Sequence, residues 1–258
     1  MKTVLVTGAT NGTGYAIAKR FAQAGYGVVI TSRDAVEAKE AAGRLAAETG
    51  VWTKGEALWS EPADEARICE IFDGIRADGR TVDTVVLNAA NLGIGMDALT
   101  VDFREFMQVI ETNIGWNFLI ARQAALQMKE KGGGAIVFIN SNTAYRAIPD
   151  RPAYGSSKGG VLGLARSLAL DWGKYGIRVN CVLPGMIKTV RWQTNYNNCR
   201  NALSNFTPLG DIAEFEDIAN AAYYLGSDES RNTTGAELVV DGGNMIQLYP
   251  VNIPEGRL

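Results

Sequence analysis

The 258-residue chain contains no histidine. That absence excludes Ser-His-Asp and Cys-His nucleophile pairs, histidine-ligated zinc and histidine acid–base catalysis. Chemistry must come from Tyr, Lys, Ser, Asp, Glu or Cys. Cysteine is scarce: Cys69, Cys181 and Cys199 are isolated, odd in number and without CxxC spacing. This argues against a disulfide framework or a four-cysteine metal site, so no metal is expected and a reducing, cytoplasmic setting fits. Long apolar runs are missing, and Thr3–Val6 is too short for the hydrophobic region of a signal peptide. A basic excess is missing too, with 25 Lys and Arg against 28 Asp and Glu and no Lys/Arg run. Neither nucleic acid nor a membrane is an expected partner.

What is present alternates between short β-rich runs and longer amphipathic stretches. Thr3–Thr7 reads as a buried strand, followed by a Gly-rich turn and a helical pattern from about Gly12 to Gln23. Val28–Thr31 reads as the next strand and Ala35–Thr49 as the next helix. Pro62, with Asp64 and Glu65 behind it, is a favourable start for another helix. Val85–Leu87, Ala135–Ile139, Ile177–Val182 and Glu237–Val240 are further strand candidates. Strand–helix alternation implies parallel strands with right-handed crossovers, and near-continuous apolar strands imply a sheet covered on both faces. The expected fold is α/β, a doubly wound parallel sheet of Rossmann type with helices on both faces. No linker or repeat divides residues 1–258, so one domain is expected. Its cofactor half would run to about residue 140 and its catalytic and substrate-lid part from about 141.

Two constellations carry chemistry. Thr7-Gly8-Ala9-Thr10-Asn11-Gly12-Thr13-Gly14 joins the first strand to the first helix. Glycines there let the turn bend and let backbone N–H groups approach a pyrophosphate, in the strand–turn–helix context a dinucleotide requires. The second is Tyr154 followed four residues later by Lys158, with Ser141 thirteen residues before the tyrosine. Helical spacing of four puts phenol and ammonium on one face, where the cation favours phenolate. Ser141 follows a strand, where sheet ends present ligand-contacting residues, and could hold a carbonyl oxygen while Tyr154 moves the proton.

With these residues the chain resembles the short-chain dehydrogenase/reductase family, in its roughly 250-residue branch, from Thr3 to Gly243. The family's Thr-Gly-x3-Gly-x-Gly opening matches Thr7–Gly14, its Tyr-x3-Lys centre Tyr154 and Lys158, its serine Ser141 and its asparagine Asn113. Pro184-Gly185-Met186-Ile187-Lys188-Thr189 is similar to the stretch that contacts the nicotinamide, and Thr234-Gly235 with Val240–Gly243 to the closing pattern. The resemblance implies a nicotinamide-dependent ketone reductase or secondary-alcohol dehydrogenase. Tyr154 would be the acid in reduction and the base in oxidation, and Ser141 would position the substrate oxygen. Lys158 would lower the tyrosine pKa and bond the nicotinamide ribose, while Asn113 would hold a water linking Lys158 to solvent. The cofactor set it implies is Gly8, Thr10, Asn11, Gly12, Thr13, Gly14, Ser32, Arg33, Leu58, Trp59, Asn88, Ala89, Tyr154, Lys158, Pro184, Gly185, Ile187 and Thr189. Three positions depart from the family pattern. Ala90 replaces a glycine, Leu58 followed by Trp59 stands where an Asp is common, and Asp211 stands where Arg often follows a glycine.

The second strand ends at Thr31-Ser32-Arg33, where an acidic residue would grip the ribose 2′-hydroxyl of NAD. Ser32 takes the acidic position and Arg33 can meet a 2′-phosphate, so NADP(H) is expected over NAD(H). Against this, Asp34 follows and Asn11 replaces a basic residue. The expected substrate is a small polyhydroxylated ketone or alcohol, from the asparagines of Val190–Phe206 (Asn195, Asn197, Asn198, Asn201, Asn205), whose amides suit many hydroxyls. A 3-oxoacyl thioester or hydroxysteroid is the alternative, because Trp192, Tyr196 and Phe206 could line an apolar pocket. The resemblance also implies a homotetramer or homodimer paired through helices around Val101–Lys129 and Pro152–Trp172. A non-catalytic nucleotide sensor is the rival from another class, disfavoured because Asn113, Ser141, Tyr154 and Lys158 are all present.

Overall fold

The computed structural model describes residues 1–58, 63–189 and 205–248. Strands Thr3–Thr7 (β1), Gly27–Ser32 (β2), Thr53–Ala57 (β3), Thr84–Leu87 (β4), Gly134–Ile139 (β5), Ile177–Pro184 (β6) and Glu237–Val240 (β7) all pair in parallel. Their order is β3-β2-β1-β4-β5-β6-β7. Chain order reverses between β1 and β4, which opens a crevice beyond their C-terminal ends, where open α/β sheets bind ligands.

Alternation along each strand sends neighbouring side chains to opposite faces. Leu5, Val85, Ile136 and Val179 pack on one side against helices Glu65–Ala77 (α3), Asn117–Lys131 (α5) and Pro152–Trp172 (α6). Val4, Val6, Val28, Val86 and Val137 pack on the other against Gly12–Gln23 (α1), Ala35–Thr49 (α2) and Phe215–Gly226 (α7). Both faces are therefore apolar, which is why the strands read as near-continuous hydrophobic runs. Among the described residues no helix is long and apolar enough to cross a membrane.

Two sequence expectations shift. The helix expected from Pro62 begins at Glu65 with Asp64 as its cap, accepting from Ala66 N at 2.9 Å and Arg67 N at 3.2 Å; Pro62 lies outside the described residues. The single helix expected over Val101–Lys129 is interrupted. It runs as Phe103–Ile110 (α4), widens into a π-helical segment at Glu111–Trp116, then continues as α5. Such a segment inserts extra chain into the helical ladder and frees backbone groups for other partners. Here the Asn113 carbonyl accepts from the Asn117 side chain at 2.8 Å.

Candidate active site

The turn after β1 is shaped by contacts that leave no room for a side chain. A Cβ on Gly14 would stand 2.3 Å from the Gly8 carbonyl oxygen and 2.7 Å from Asn88 Nδ2. Gly8 itself adopts φ +60°, in the left-handed region. Asn88, at the end of β4, donates to the Thr7 and Gly8 carbonyls at 3.0 Å each, and Thr7 Oγ1 accepts from the Asn88 and Ala89 N–H groups. Beyond this turn lies a cleft of about 890 Å³. Its lining includes Gly8, Thr10, Asn11, Ser32, Arg33, Leu58, Asn88 and Ala89, eight of the residues expected from sequence to hold the cofactor. Ala90, standing where the family pattern has glycine, lines it as well. Gly12, Thr13 and Gly14 lie behind the lining, at the start of α1.

Of the residues expected to be catalytic, Ser141 caps a short 3₁₀ turn after β5, its Oγ accepting from Thr143 N at 3.1 Å. Tyr154 and Lys158 sit in the first turns of α6, which Pro152 opens. Both are nearly withdrawn from solvent, at 8% and 3% exposed. Burial pushes the Tyr154 hydroxyl above the ordinary phenol value, while the Ser141 side chain and the charge of Arg151 act in the opposite sense. Burial also pushes the Lys158 ammonium down to about 8, with Cys181 opposing it slightly. Lys158 Nζ donates to the Ile139 carbonyl at 3.0 Å and lies 5.5 Å from the centre of the Tyr154 ring. The sequence-based expectation of a tyrosine lowered by its lysine is thus corrected. The ammonium is directed at the end of β5, and desolvation dominates the phenol.

Asn113 is fully buried and engaged on every side. Its Oδ1 accepts from Asn91 N at 2.7 Å, and its Nδ2 donates to the Asn91 carbonyl and to Ser157 Oγ, at 2.9 Å each. Ser157 in turn donates to the Tyr154 carbonyl at 2.7 Å. The side chain therefore joins the cleft wall to α6, and its amide is fully used in doing so.

A family model described as enoyl-(acyl carrier protein) reductase matches residues 8–244. The chain belongs to the short-chain dehydrogenase/reductase family. It is 33% identical over 244 residues to a 3-oxoacyl-[acyl-carrier-protein] reductase of Chlamydia trachomatis, covering 94% of this chain and 96% of that one. It is also 33% identical over 247 residues to a D-threitol dehydrogenase of Mycolicibacterium smegmatis, covering 95% and 94%. A gluconate 5-dehydrogenase from Burkholderia cenocepacia, solved in complex with NADP and tartrate, superposes with a TM-score of 0.87 at 26% identity, covering 96% of each chain. The family member described here is accordingly an oxidoreductase acting on CH–OH groups with a nicotinamide cofactor.

Within this dehydrogenase, the end of β2 holds three charges of different availability. Arg33 lines the cleft and makes no ion pair among the described residues. Asp34 is consumed as the cap of α2, accepting from Val36 N at 2.7 Å and Glu37 N at 2.9 Å. Glu37 was not anticipated from sequence; it lines the cleft and accepts from Ser32 Oγ at 3.2 Å. Its Asp-x-x-Glu spacing signals only a helix start, which conceals the second use. Thr112 and Asn117 also line the cleft unanticipated, brought there by the π-helical segment.

Pro184 ends β6, and Gly185 follows where a Cβ would stand 2.6 Å from Asp241 Cβ. Ile187 bridges to Ala213, and Thr189 N donates to the Ile187 carbonyl at 2.7 Å. None of these four lines the cleft among its described lining. Between them Lys188 pairs with Asp211 at 2.8 Å and Glu214 at 2.6 Å, so Asp211 supplies a local ion pair at the base of the expected lid. Trp59 and the lid residues 190–204 lie outside the described residues.

Proposed function

We propose that this enzyme interconverts a ketone and a secondary alcohol on a small polyhydroxylated substrate, a sugar, polyol or related acid, preferring NADP(H) to NAD(H). The observation that carries the reading is the meeting of Ser141, Tyr154 and Lys158 beside a cleft whose rear wall tolerates only glycine at position 14. That close backbone approach fits a pyrophosphate in the turn. Gly8, Thr10, Asn11, Gly12, Thr13 and Gly14 would hold it, with Leu58, Asn88 and Ala89 along the nucleoside and Pro184, Gly185, Ile187 and Thr189 toward the nicotinamide. The cofactor supplies the hydride. Tyr154, held protonated by burial, donates to the forming alkoxide in reduction and takes the proton back in oxidation. Ser141 holds the substrate oxygen next to that phenol. Lys158 offers its ammonium to the ribose, and the backbone carbonyl of Asn113 would hold the water that reconnects Lys158 to solvent.

NADP(H) preference rests on Arg33, which has no ion-pair partner among the described residues, while Asp34 is turned away into its helix cap. Glu37 works against that preference, because its carboxylate would repel a 2′-phosphate. Arg33→Ala should weaken NADPH binding relative to NADH by about tenfold, and Glu37→Gln should shift selectivity toward NADPH. Fluorescence titration of both reduced cofactors reads this directly; an unchanged ratio in Arg33→Ala sinks the assignment. The polyol reading draws on the D-threitol and gluconate relatives, and the 3-oxoacyl relative keeps a thioester substrate as the second reading. Steady-state kinetics on a panel of sugars, polyols, hydroxysteroids and 3-oxoacyl thioesters decides between them. If thioesters or steroids exceed every polyol in kcat/KM by about tenfold, roughly 1.4 kcal/mol of transition-state discrimination, the polar-substrate reading fails.

The same reading places the enzyme in the cytoplasm as a homotetramer. Exposed Phe103 and Met107 on α4, 73% and 42% accessible, support helix pairing between copies. Light scattering at micromolar concentration should return a multiple of the 27.7 kDa chain mass. A monomer mass would refute the assembly.

A further inference from the structure

The wall of the cleft carries a polar side chain whose bonding is half complete. Asn117 opens α5, lines the cleft and is 5% exposed. Its Nδ2 donates to the Asn113 carbonyl at 2.8 Å, which fixes the amide and leaves the oxygen as its other end. Among the described residues that Oδ1 has no hydrogen-bond partner. A buried amide oxygen without a donor is costly, and a donor on a ligand in the cleft would relieve it.

The surroundings define what kind of ligand that is. Leu58, Trp116 and Ile120 line the same cleft, and all three are buried members of one apolar cluster. An apolar wall with a convergent acceptor suits a group that has apolar faces and a donor on its edge. Position along the cleft narrows this further. Leu58 N donates to the Ser32 carbonyl at 2.8 Å, so the apolar wall adjoins the end of β2, where the ribose would lie. The part of a nucleotide that extends from that ribose is its base. Leu58 also stands where the family commonly has an Asp, so the side chain at that position offers no acceptor.

We propose that Asn117 reads the purine of the cofactor, its Oδ1 accepting from the exocyclic amine of adenine while Leu58, Trp116 and Ile120 cover the ring. The inference rests on the nucleotide reading of the cleft and adds the base contact to it. Hypoxanthine carries a carbonyl where adenine has its amine. It would set an acceptor against an acceptor and leave both unpaired, the arrangement by which a polar site rejects a near-isostere.

Deamino-NADPH, which has hypoxanthine in place of adenine, keeps the fluorescent dihydronicotinamide, so titration of both compounds into the full chain reads binding without turnover. The wild type should bind NADPH about tenfold tighter than its deamino analogue. Asn117→Val and the smaller Asn117→Ala should each bring the two affinities to within about twofold, chiefly by weakening NADPH. NADH and deamino-NADH carry the same comparison, so the result does not depend on the 2′-phosphate. The wild-type ratio needs no variant and tests the proposal even where a substitution impairs folding. The proposal is overturned if the wild type binds the paired compounds within about twofold of each other, or if either folded variant keeps the wild-type ratio. Failure of the nucleotide reading would look different: none of the four compounds would bind.

Discussion

Replacing Tyr154 by phenylalanine should lower kcat by about a hundredfold or more while NADPH affinity changes little. The ring packs with Val109, Ala153 and the partly buried Leu92 and Met96, and phenylalanine keeps those contacts. Only the hydroxyl that transfers the proton is lost, so the defect should fall on kcat and not on folding or cofactor binding. The pH dependence follows from the direction in which burial moves this phenol. Reduction needs the protonated phenol, so Tyr154 itself should not limit the rate below the ordinary phenol value of 10.0, and a fall that begins near pH 8 would report Lys158 losing its proton. Oxidation needs the phenolate and should climb above that phenol value. A phenylalanine variant that retains more than a few per cent of wild-type kcat would remove Tyr154 from the mechanism.

Lys158→Met should abolish turnover and yet raise thermal stability at pH 7. The ammonium titrates at about 8 in the folded protein against 10.5 for an ordinary lysine. Its folded pKa is depressed, so between pH 8 and 10.5 the unfolded chain binds more protons and wild-type stability rises with pH across that window. Below pH 8 the full penalty of burying the charge applies, about 3 kcal/mol. Methionine removes that penalty and gives up the bond to the Ile139 carbonyl, about 1 kcal/mol. A gain of about 2 kcal/mol corresponds to roughly 5 °C in Tm for a domain of this size. The gain should shrink steadily as pH approaches 10.5, where the wild type folds with a neutral amine. Thermal denaturation of both proteins at pH 7 and pH 10 checks the sign. A methionine variant that melts below wild type at pH 7 would contradict it.

Much of the scaffold was legible because local chemistry and global position agree. Thr3–Thr7 is continuously buried around an apolar Val4–Val6 centre, the glycines after it have no alternative where Cβ would strike backbone, and Pro152 marks the start of α6. The break in the helix after Phe103 was not legible, because the helical hydrophobic pattern runs on through Glu111–Trp116 and no proline interrupts it. Its cause is tertiary: Asn113 is drawn to Asn91 and Ser157, contacts separated from it by 22 and 44 residues. Glu37 was hidden for a different reason, since Asp34 already accounts for an acidic helix start. Spacing also told that Tyr154 and Lys158 share a face. It could not tell that the ammonium would find the Ile139 carbonyl, which only the packing of α6 against β5 decides.

The chain of bonds from Asn91 through Asn113 and Ser157 to the Tyr154 carbonyl acts as a strut between the two halves of the cleft. Because no link in it is longer than 2.9 Å and Asn113 sees no solvent, the strut has little slack. A molecule that presses on the cleft wall at Asn91 therefore also presses on the backbone of α6 at Tyr154. With the nucleotide in that cleft as proposed, its occupancy and the placing of Tyr154 would be one mechanical event, which predicts an ordered sequence with nucleotide first. An engineer who wishes to change the substrate without disturbing Tyr154 has correspondingly little freedom anywhere along that strut.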